Sequence, residues 1–160
     1  SLVSDGLRHK PWNVPTGEEA YARGELCLHF PSDWPKDRIL NDAMFIWPMF
    51  NLLRLAKRII DAEETLGGKA PFVIANSDPV DKIGPGVPQT HWLVARTDEP
   101  FVQFEEPEGT TWIHTMTAIH TDEAKWAKEH GAQALFEELR AKDLLRMIDP
   151  DRKSLFKKPW

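Results

Sequence analysis

Three closely spaced segments decide the fold of this 160-residue chain: THWLVART at residues 90–97, FVQFEE at 101–106 and TTWIHTMTAIHT at 110–121. All three are rich in β-branched and aromatic residues, which favour strands. Two short breakers, DEP at 98–100 and PEG at 107–109, separate them. This spacing predicts a three-strand β-meander with a hairpin turn at each breaker.

Further strands and a helix are predicted on the N-terminal side of the meander. GELCLHF at 24–30 and PFVIAN at 71–76 have the composition of short strands. Residues 36–66 carry apolar side chains at spacings of three and four, which predicts a helix with one core-facing side. Pro48 lies within this pattern and removes a helical hydrogen bond, so we expect either a kink or two helices. The predicted core-facing side consists of Ile39, Ala43, Ile46, Phe50, Leu53, Ala56 and Ile60.

A second helical region is predicted near the C-terminus. Thr121 is a suitable N-cap, and the helical pattern continues past Gly131 towards Ile148. Consecutive hairpins with segregated helices indicate the α+β class. We therefore predict a mainly antiparallel sheet, the three-strand meander plus one or two further strands. It is packed by a long kinked helix or helix pair and by a C-terminal helical segment.

Length and composition indicate a single domain over residues 1–160, with an extended N-terminal arm at 1–23 and a C-terminal tail at 149–160. The net charge of −5 provides no basic field for nucleic acid or an anionic membrane. The longest apolar stretch, 43–50, is far shorter than the roughly 20 residues of a membrane span. Cys27 is the single cysteine, so an internal disulfide framework is excluded and a cytoplasmic location is the simplest expectation. We expect a soluble protein with no nucleic-acid or membrane partner.

The predicted hairpins bring polar residues onto one sheet face. If the first hairpin turns at 98–99, His91 lies opposite Glu106. If the second turns through 107–109, Phe104 lies opposite Trp112 and Val102 opposite His114. Alternation then places eleven residues on one mostly apolar face, which we expect to meet the helices. They are His91, Leu93, Ala95, Val102, Phe104, Glu106, Trp112, His114, Met116, Ala118 and His120.

Apolar walls with a few polar groups are typical of a small-molecule pocket. A carboxylate beside a histidine fixes its tautomer and raises its pKa, which suits a general base. The candidate catalytic residues are therefore His91, Glu106 and His114. We expect the ligand to contact Trp112, Phe104, Met116 and His120, together with Asp78 and Asp81 of the loop at 77–89. This interpretation is a small-molecule-binding protein or small enzyme with a histidine-bearing pocket between sheet and helices.

No metal site or cofactor is identified by the sequence. His114 and His120 are the most suggestive pair, but six residues of a strand span roughly 20 Å. Metal–nitrogen bonds are roughly 2 Å long, so the two imidazoles cannot share an ion on a regular strand. Asp78 and Asp81 are too few for a calcium site.

The alternative is a non-catalytic protein-interaction module, such as an inhibitor, adaptor or accessory subunit. It would use the arms that carry proline and tryptophan, with Trp12, Trp34 and Trp160 as exposed anchors. Packed tryptophans would instead attach the arms to the core. For the sheet residues, the simpler alternative is that His114 is a core histidine bonded to a backbone carbonyl or water and that His91 and Glu106 form a pair at the rim. Homo-oligomers could form through an edge strand or the apolar segment 43–50. The sequence does not decide between an enzyme and a binding protein.

Overall fold

The computed structural model describes residues 1–38, 41–63, 65–96, 103–145 and 148–156. Four features named above lie outside these residues: the predicted helix position Ile39, the breaker at 98–100, Val102 and Trp160.

The described part of the chain forms six strands and three α-helices. The strands are β1 (Leu2–Val3), β2 (Gly24–Leu28), β3 (Phe72–Ala75), β4 (His91–Arg96), β5 (Gln103–Glu106) and β6 (Gly109–Ile119). The α-helices are α1 (Ala43–Ile60), α2 (Thr121–His130) and α3 (Ala132–Ala141). Short 3-10 helices occupy Leu7–His9, Glu19–Tyr21 and Lys36–Arg38. Searched over the described residues, no helix has the length and apolar content needed to cross a membrane.

The six strands form a mixed sheet in the order β1-β2-β6-β4-β3, with β5 paired to β6 beside this path. β2 runs parallel to β6, with Leu26 opposite His114, and the other pairings are antiparallel. The α+β class is confirmed. The parallel pairing of β2 with β6 is possible because a long connection, which contains α1, β3, β4 and β5, joins the two strands.

The predicted meander is wrong at its first hairpin. Trp112 of β6 pairs with β2 on one side and with β5 on the other. His114, two residues later, pairs with β2 on the same side as before and with β4 on the other. β4 and β5 therefore follow one another along the same edge of β6. The second predicted hairpin is correct in position but shifted by one residue, since Phe104 lies opposite Thr111.

Helices cover both faces of the sheet, which corrects the prediction that one face meets the helices. On one face α1 packs on the strands through a cluster that includes Leu26, Leu28, Trp92, Val94, Met116 and Ala118. On the other face α2 and α3 pack on Leu93, Ala95 and Ile119. Successive residues of β4 are apolar because both of its faces are buried.

Helix α1 is a single helix that contains Pro48, and the short 3-10 helix precedes it. Asp42 caps it by accepting a hydrogen bond of 2.9 Å from the Met44 backbone N–H. The predicted core-facing side is wrong in its middle, because Phe50 and Leu53 are exposed. The residues that face the sheet are instead Trp47, Leu52, Leu55 and Ile59.

A buried ion pair attaches the C-terminal tail to the start of α2. Two nitrogens of the Arg152 guanidinium each donate a 2.6 Å hydrogen bond to the Glu123 carboxylate. The same carboxylate accepts from the backbone N–H groups of His120 at 2.8 Å and Leu155 at 3.0 Å. Glu123 is fully buried, so four donors replace the water that it loses on folding.

The N-terminal arm is attached to β2 in a similar way. Glu25 is buried and accepts hydrogen bonds from the backbone N–H groups of Gly6 at 2.9 Å and Arg8 at 3.1 Å. It also accepts from the Ser4 hydroxyl and from the Arg8 guanidinium, the latter at 3.0 Å. These contacts hold the arm against β2, next to the residues of β2 that pair with β1.

Candidate functional site

The predicted pair of His91 and Glu106 is not formed. The prediction is wrong because it paired β4 with β5, whereas both strands pair with β6. His91 lies opposite Ile119, whereas Glu106 lies opposite Gly109. These two positions are ten residues apart on β6, or about 33 Å at 3.3 Å per residue. His91 instead forms a 2.8 Å hydrogen bond between Nδ1 and the Thr90 hydroxyl.

His114 lies on the opposite face of the sheet from His91. His91 and Ile119 are directly opposed and share a face, while His114 is an odd number of residues before Ile119. The imidazole is buried against the indole of Trp12, with 4.6 Å between ring centroids. Burial, assisted by the positive charge of Arg96, lowers the pKa of His114 to about 3. The imidazole is therefore neutral at pH 7 and is enclosed by core residues.

Glu106 is the acceptor in a small polar cluster with the N-terminal arm. It accepts hydrogen bonds from Nε of Arg8 at 3.0 Å and from the Thr111 hydroxyl at 2.7 Å. The Thr111 hydroxyl and the Arg8 charge lower the pKa of this carboxyl. The Arg8 guanidinium also lies over the ring of Phe104, 5.7 Å from its centroid. The catalytic roles predicted for His91, Glu106 and His114 stay predictions, without the pairing that motivated them.

The predicted ligand-contacting residues are distributed over different parts of the fold. Met116 is buried in the cluster beneath α1. Trp112 donates from its indole N–H to the Ala20 carbonyl at 3.0 Å. His120 donates from Nε2 to the Arg152 carbonyl at 2.8 Å. Their side chains thus contact the protein itself, and their role in ligand binding stays a prediction.

Asp78 and Asp81 are exposed in the loop between β3 and β4. Asp81 accepts a 2.7 Å hydrogen bond from the backbone N–H of Lys82. Across the part of the chain that the structure describes, no three His, Cys, Asp or Glu side chains are grouped as metal ligands.

The tryptophans of the arms pack inward where the structure describes them. Trp12 is buried in the cluster beneath α1. Trp34 stacks on Phe30 with a centroid separation of 5.2 Å and meets Trp47 edge-on at 5.9 Å. Both attach flanking segments to the core, so neither is the exposed anchor that an interaction through the arms requires.

The exposed apolar surface lies on α1 instead. Phe50 and Leu53 have 56% and 57% of their surface exposed, and Ile46 and Met49 are half-buried beside them. Spacings of three and four place these four residues in one row, which we call the α1 stripe. Leu53 is the last residue of the stripe, and one turn later Lys57 forms an ion pair of 2.5 Å with Asp61. A contiguous apolar row on a helix already packed through its other side is typical of an interaction site.

The residues of the α1 stripe were recognised as apolar in the sequence, but the prediction placed three of them on the side of the helix that faces the core. Ile46, Phe50 and Leu53 fit one helical face as well as the truly buried residues fit another. The available signal was that α1 is apolar nearly all round, with only four polar residues among its eighteen. Such a helix has two apolar sides, and a two-layer prediction accounts for only one of them.

The chain matches a family model described as Suppressor of fused protein (SUFU) over residues 1–153. Its fold is similar to a chain in the Sufu-Fu complex crystal structure, with TM-score 0.59 and 18% identity over 82% of this chain and 57% of that one. It is also similar to the crystal structure of Drosophila Suppressor of Fused, with TM-score 0.61 and 17% identity over 82% of this chain and 32% of that one. No curated protein matches the chain in sequence. At these low identities, the likeness to the two structures shows a shared fold and nothing more. The chain spans less than two thirds of the length of either one.

Proposed function

Because this chain belongs to the Suppressor of fused protein (SUFU) family, we propose that it acts as a protein-interaction module. The observation that carries the proposal is the α1 stripe, whose Phe50 and Leu53 are more than half exposed. The likeness to a chain in the Sufu-Fu complex supports a protein partner, since that structure is of a complex. The partner proposed for this chain is a different protein that covers the α1 stripe.

Leaving this apolar row in contact with water has a free-energy cost. Burying a Phe or Leu side chain is worth about 1.5–3 kcal/mol relative to leaving it exposed. The side of α1 that faces the sheet already gains this free energy of burial through Trp47, Leu52, Leu55 and Ile59. The α1 stripe gains it only when a partner packs against it. A helix face read through residues spaced by three and four is a common way for proteins to recognise one another.

The surroundings of the α1 stripe are also typical of an interface. Arg54 lies beside Leu53 and donates a 2.9 Å hydrogen bond to Asn76, so its guanidinium is held in place. Lys57 and Asp61 form an exposed ion pair beyond the C-terminal end of the row. An apolar centre with a polar, water-accessible rim is the usual anatomy of a specific interface.

We expect the tagged chain to retain one protein in stoichiometric amount from an extract of its source cells. That protein would then be purified and its dissociation constant with the chain measured by calorimetry. If no protein is retained in stoichiometric amount, the proposed function is wrong. A dimer of the chain alone that Phe50→Glu converts to a monomer would also contradict it, because the α1 stripe would then bind a second copy.

Variants of the α1 stripe test whether this surface carries the binding. Phe50→Glu and Leu53→Glu should each raise the dissociation constant of the purified partner by about 30-fold or more, as truncation of a central anchor residue does. Both side chains are exposed, so the unfolding transition should change little. Met44→Glu is the matched control, because Met44 is 58% exposed on the same helix but lies off the row. Equal losses for Met44→Glu, or no loss for Phe50→Glu, would place the interface elsewhere.

A further inference from the structure

A second surface feature is independent of the α1 stripe. It is an open groove of about 630 Å³ on the other face of the sheet, between β3 and helix α2. Small-molecule sites in proteins typically have volumes of about 300–1,000 Å³. The groove is therefore large enough for a small organic ligand.

The walls of the groove are mostly apolar and built from short side chains. Val73 of β3 forms one wall, and Ala124 and Ala127 of α2 form the other. Ala132, at the start of α3, lines the same space. The alanines leave room that longer residues would fill. Val80 of the loop between β3 and β4 closes part of the groove and is 52% exposed.

The polar groups of the groove are all basic or neutral. Lys125 and Lys128 of α2 line it, and neither forms an ion pair with any residue that the structure describes. His91 also lines it, and burial lowers the pKa of its imidazole, which is therefore neutral at pH 7. The lining contains no carboxylate among the described residues. In a chain of net charge −5, the lining of this groove is therefore locally basic.

His91 adds a fixed polar atom to the groove. Its Nδ1 is hydrogen-bonded to the Thr90 hydroxyl, which is itself 2.7 Å from the Thr121 hydroxyl. This pair of threonines holds the ring in one orientation and leaves Nε2 for a ligand. A neutral imidazole nitrogen serves as a hydrogen-bonding group, while the two ammonium groups supply the charge.

We propose that the groove between β3 and α2 binds a small organic anion with an apolar body. The apolar body lies against Val73, Ala124 and Ala132, and its carboxylate contacts the ammonium groups of Lys125 and Lys128. The complementarity of charge carries the proposal, because an apolar groove alone would not select an anion. The site is on the opposite side of the sheet from the α1 stripe, so its test is independent of the test of the proposed protein interaction.

Dodecanoate and dodecyltrimethylammonium are the matched probes, since they share an alkyl chain and differ in charge. Calorimetry on the full chain, below the micelle-forming concentrations, should give one dodecanoate per chain and at least tenfold weaker binding of the cation. The double variant Lys125→Gln/Lys128→Gln should bind dodecanoate at least tenfold more weakly than the original chain. Lys142→Gln, an exposed lysine beyond the end of α3, is the control and should leave the affinity unchanged.

A second variant tests the position of the apolar body. Ala124→Leu fills the groove with a residue that helices accept well, and it should abolish dodecanoate binding while α2 stays folded. Circular dichroism and the unfolding midpoint report the fold of each variant. The proposal is overturned if dodecanoate does not bind, if the cation binds equally well, or if the lysine or alanine variants bind dodecanoate like the original chain.

Discussion

Replacing Glu123 with Ala lowers the free energy of unfolding by about 3–5 kcal/mol, the usual cost of leaving one member of a buried ion pair without its partner. The side chains of Glu123 and Arg152 are 0% and 5% exposed, and they lie 2.6 Å apart. Without the carboxylate, the Arg152 charge stays in the interior. The backbone N–H groups of His120 and Leu155 also lose their acceptor. Urea unfolding at pH 7 measures the difference.

Two controls separate the missing charge from the missing contacts. Glu123→Met/Arg152→Met removes both charges and should recover the part of the loss that comes from the unpaired Arg152 charge, because a buried ion pair can be replaced by apolar residues at little net cost. The part that comes from the backbone N–H groups of His120 and Leu155 should remain, because methionine does not replace their acceptor. Glu137→Ala removes the acid of an exposed pair with Arg140 and should cost less than about 1 kcal/mol. A loss below 1 kcal/mol for Glu123→Ala would contradict the prediction.

The positions of most strands and helices follow from the sequence, because they depend on local patterns. PFVIAN at 71–76 contains β3, and the run at 110–121 contains all of β6 except Gly109, together with the start of α2. The order of the strands does not follow from such patterns. The pairing of β2 with β6 joins segments about eighty residues apart, and no local signal specifies it.

The misplaced hairpin has an identifiable physical cause. β6 is eleven residues long, whereas β4 has six and β5 has four. A strand of that length pairs with both shorter strands in succession along one edge. The breaker at 98–100 has the composition of a hairpin turn, and the meander prediction rested on local composition and spacing. The difference in length was the signal that favoured the observed pairing.

The candidate site was less predictable than the fold, because its residues depend on register. One wrong register places His91 and His114 on the same face, while the correct one separates them by the sheet. The indole that covers His114 comes from Trp12, about a hundred residues earlier in the chain. Contacts of this kind arise from tertiary packing, which periodicity within a segment does not encode.

Acid destabilises the folded chain, and His114 supplies a measurable part of that effect. Burial lowers its pKa from the ordinary value of 6.5 to about 3. Below pH 6.5 the unfolded chain binds a proton at this imidazole, whereas the folded chain binds one only near pH 3. The contribution to stability is therefore complete above pH 6.5 and is lost as the pH falls towards 3. The slope from this residue alone is about 1.4 kcal/mol per pH unit.

His114→Phe isolates this contribution. The phenyl ring keeps the packing against Trp12, and it removes a buried Nε2 that has no hydrogen-bond partner among the described residues. Urea unfolding should give similar stabilities for the two chains at pH 7 and, at pH 4, a variant more stable by about 3 kcal/mol. His9→Phe, at an exposed histidine, controls for the loss of one imidazole. If the curves of the original chain and His114→Phe run parallel from pH 7 to 4, His114 is not a buried neutral base, because only a proton excluded by folding makes them diverge.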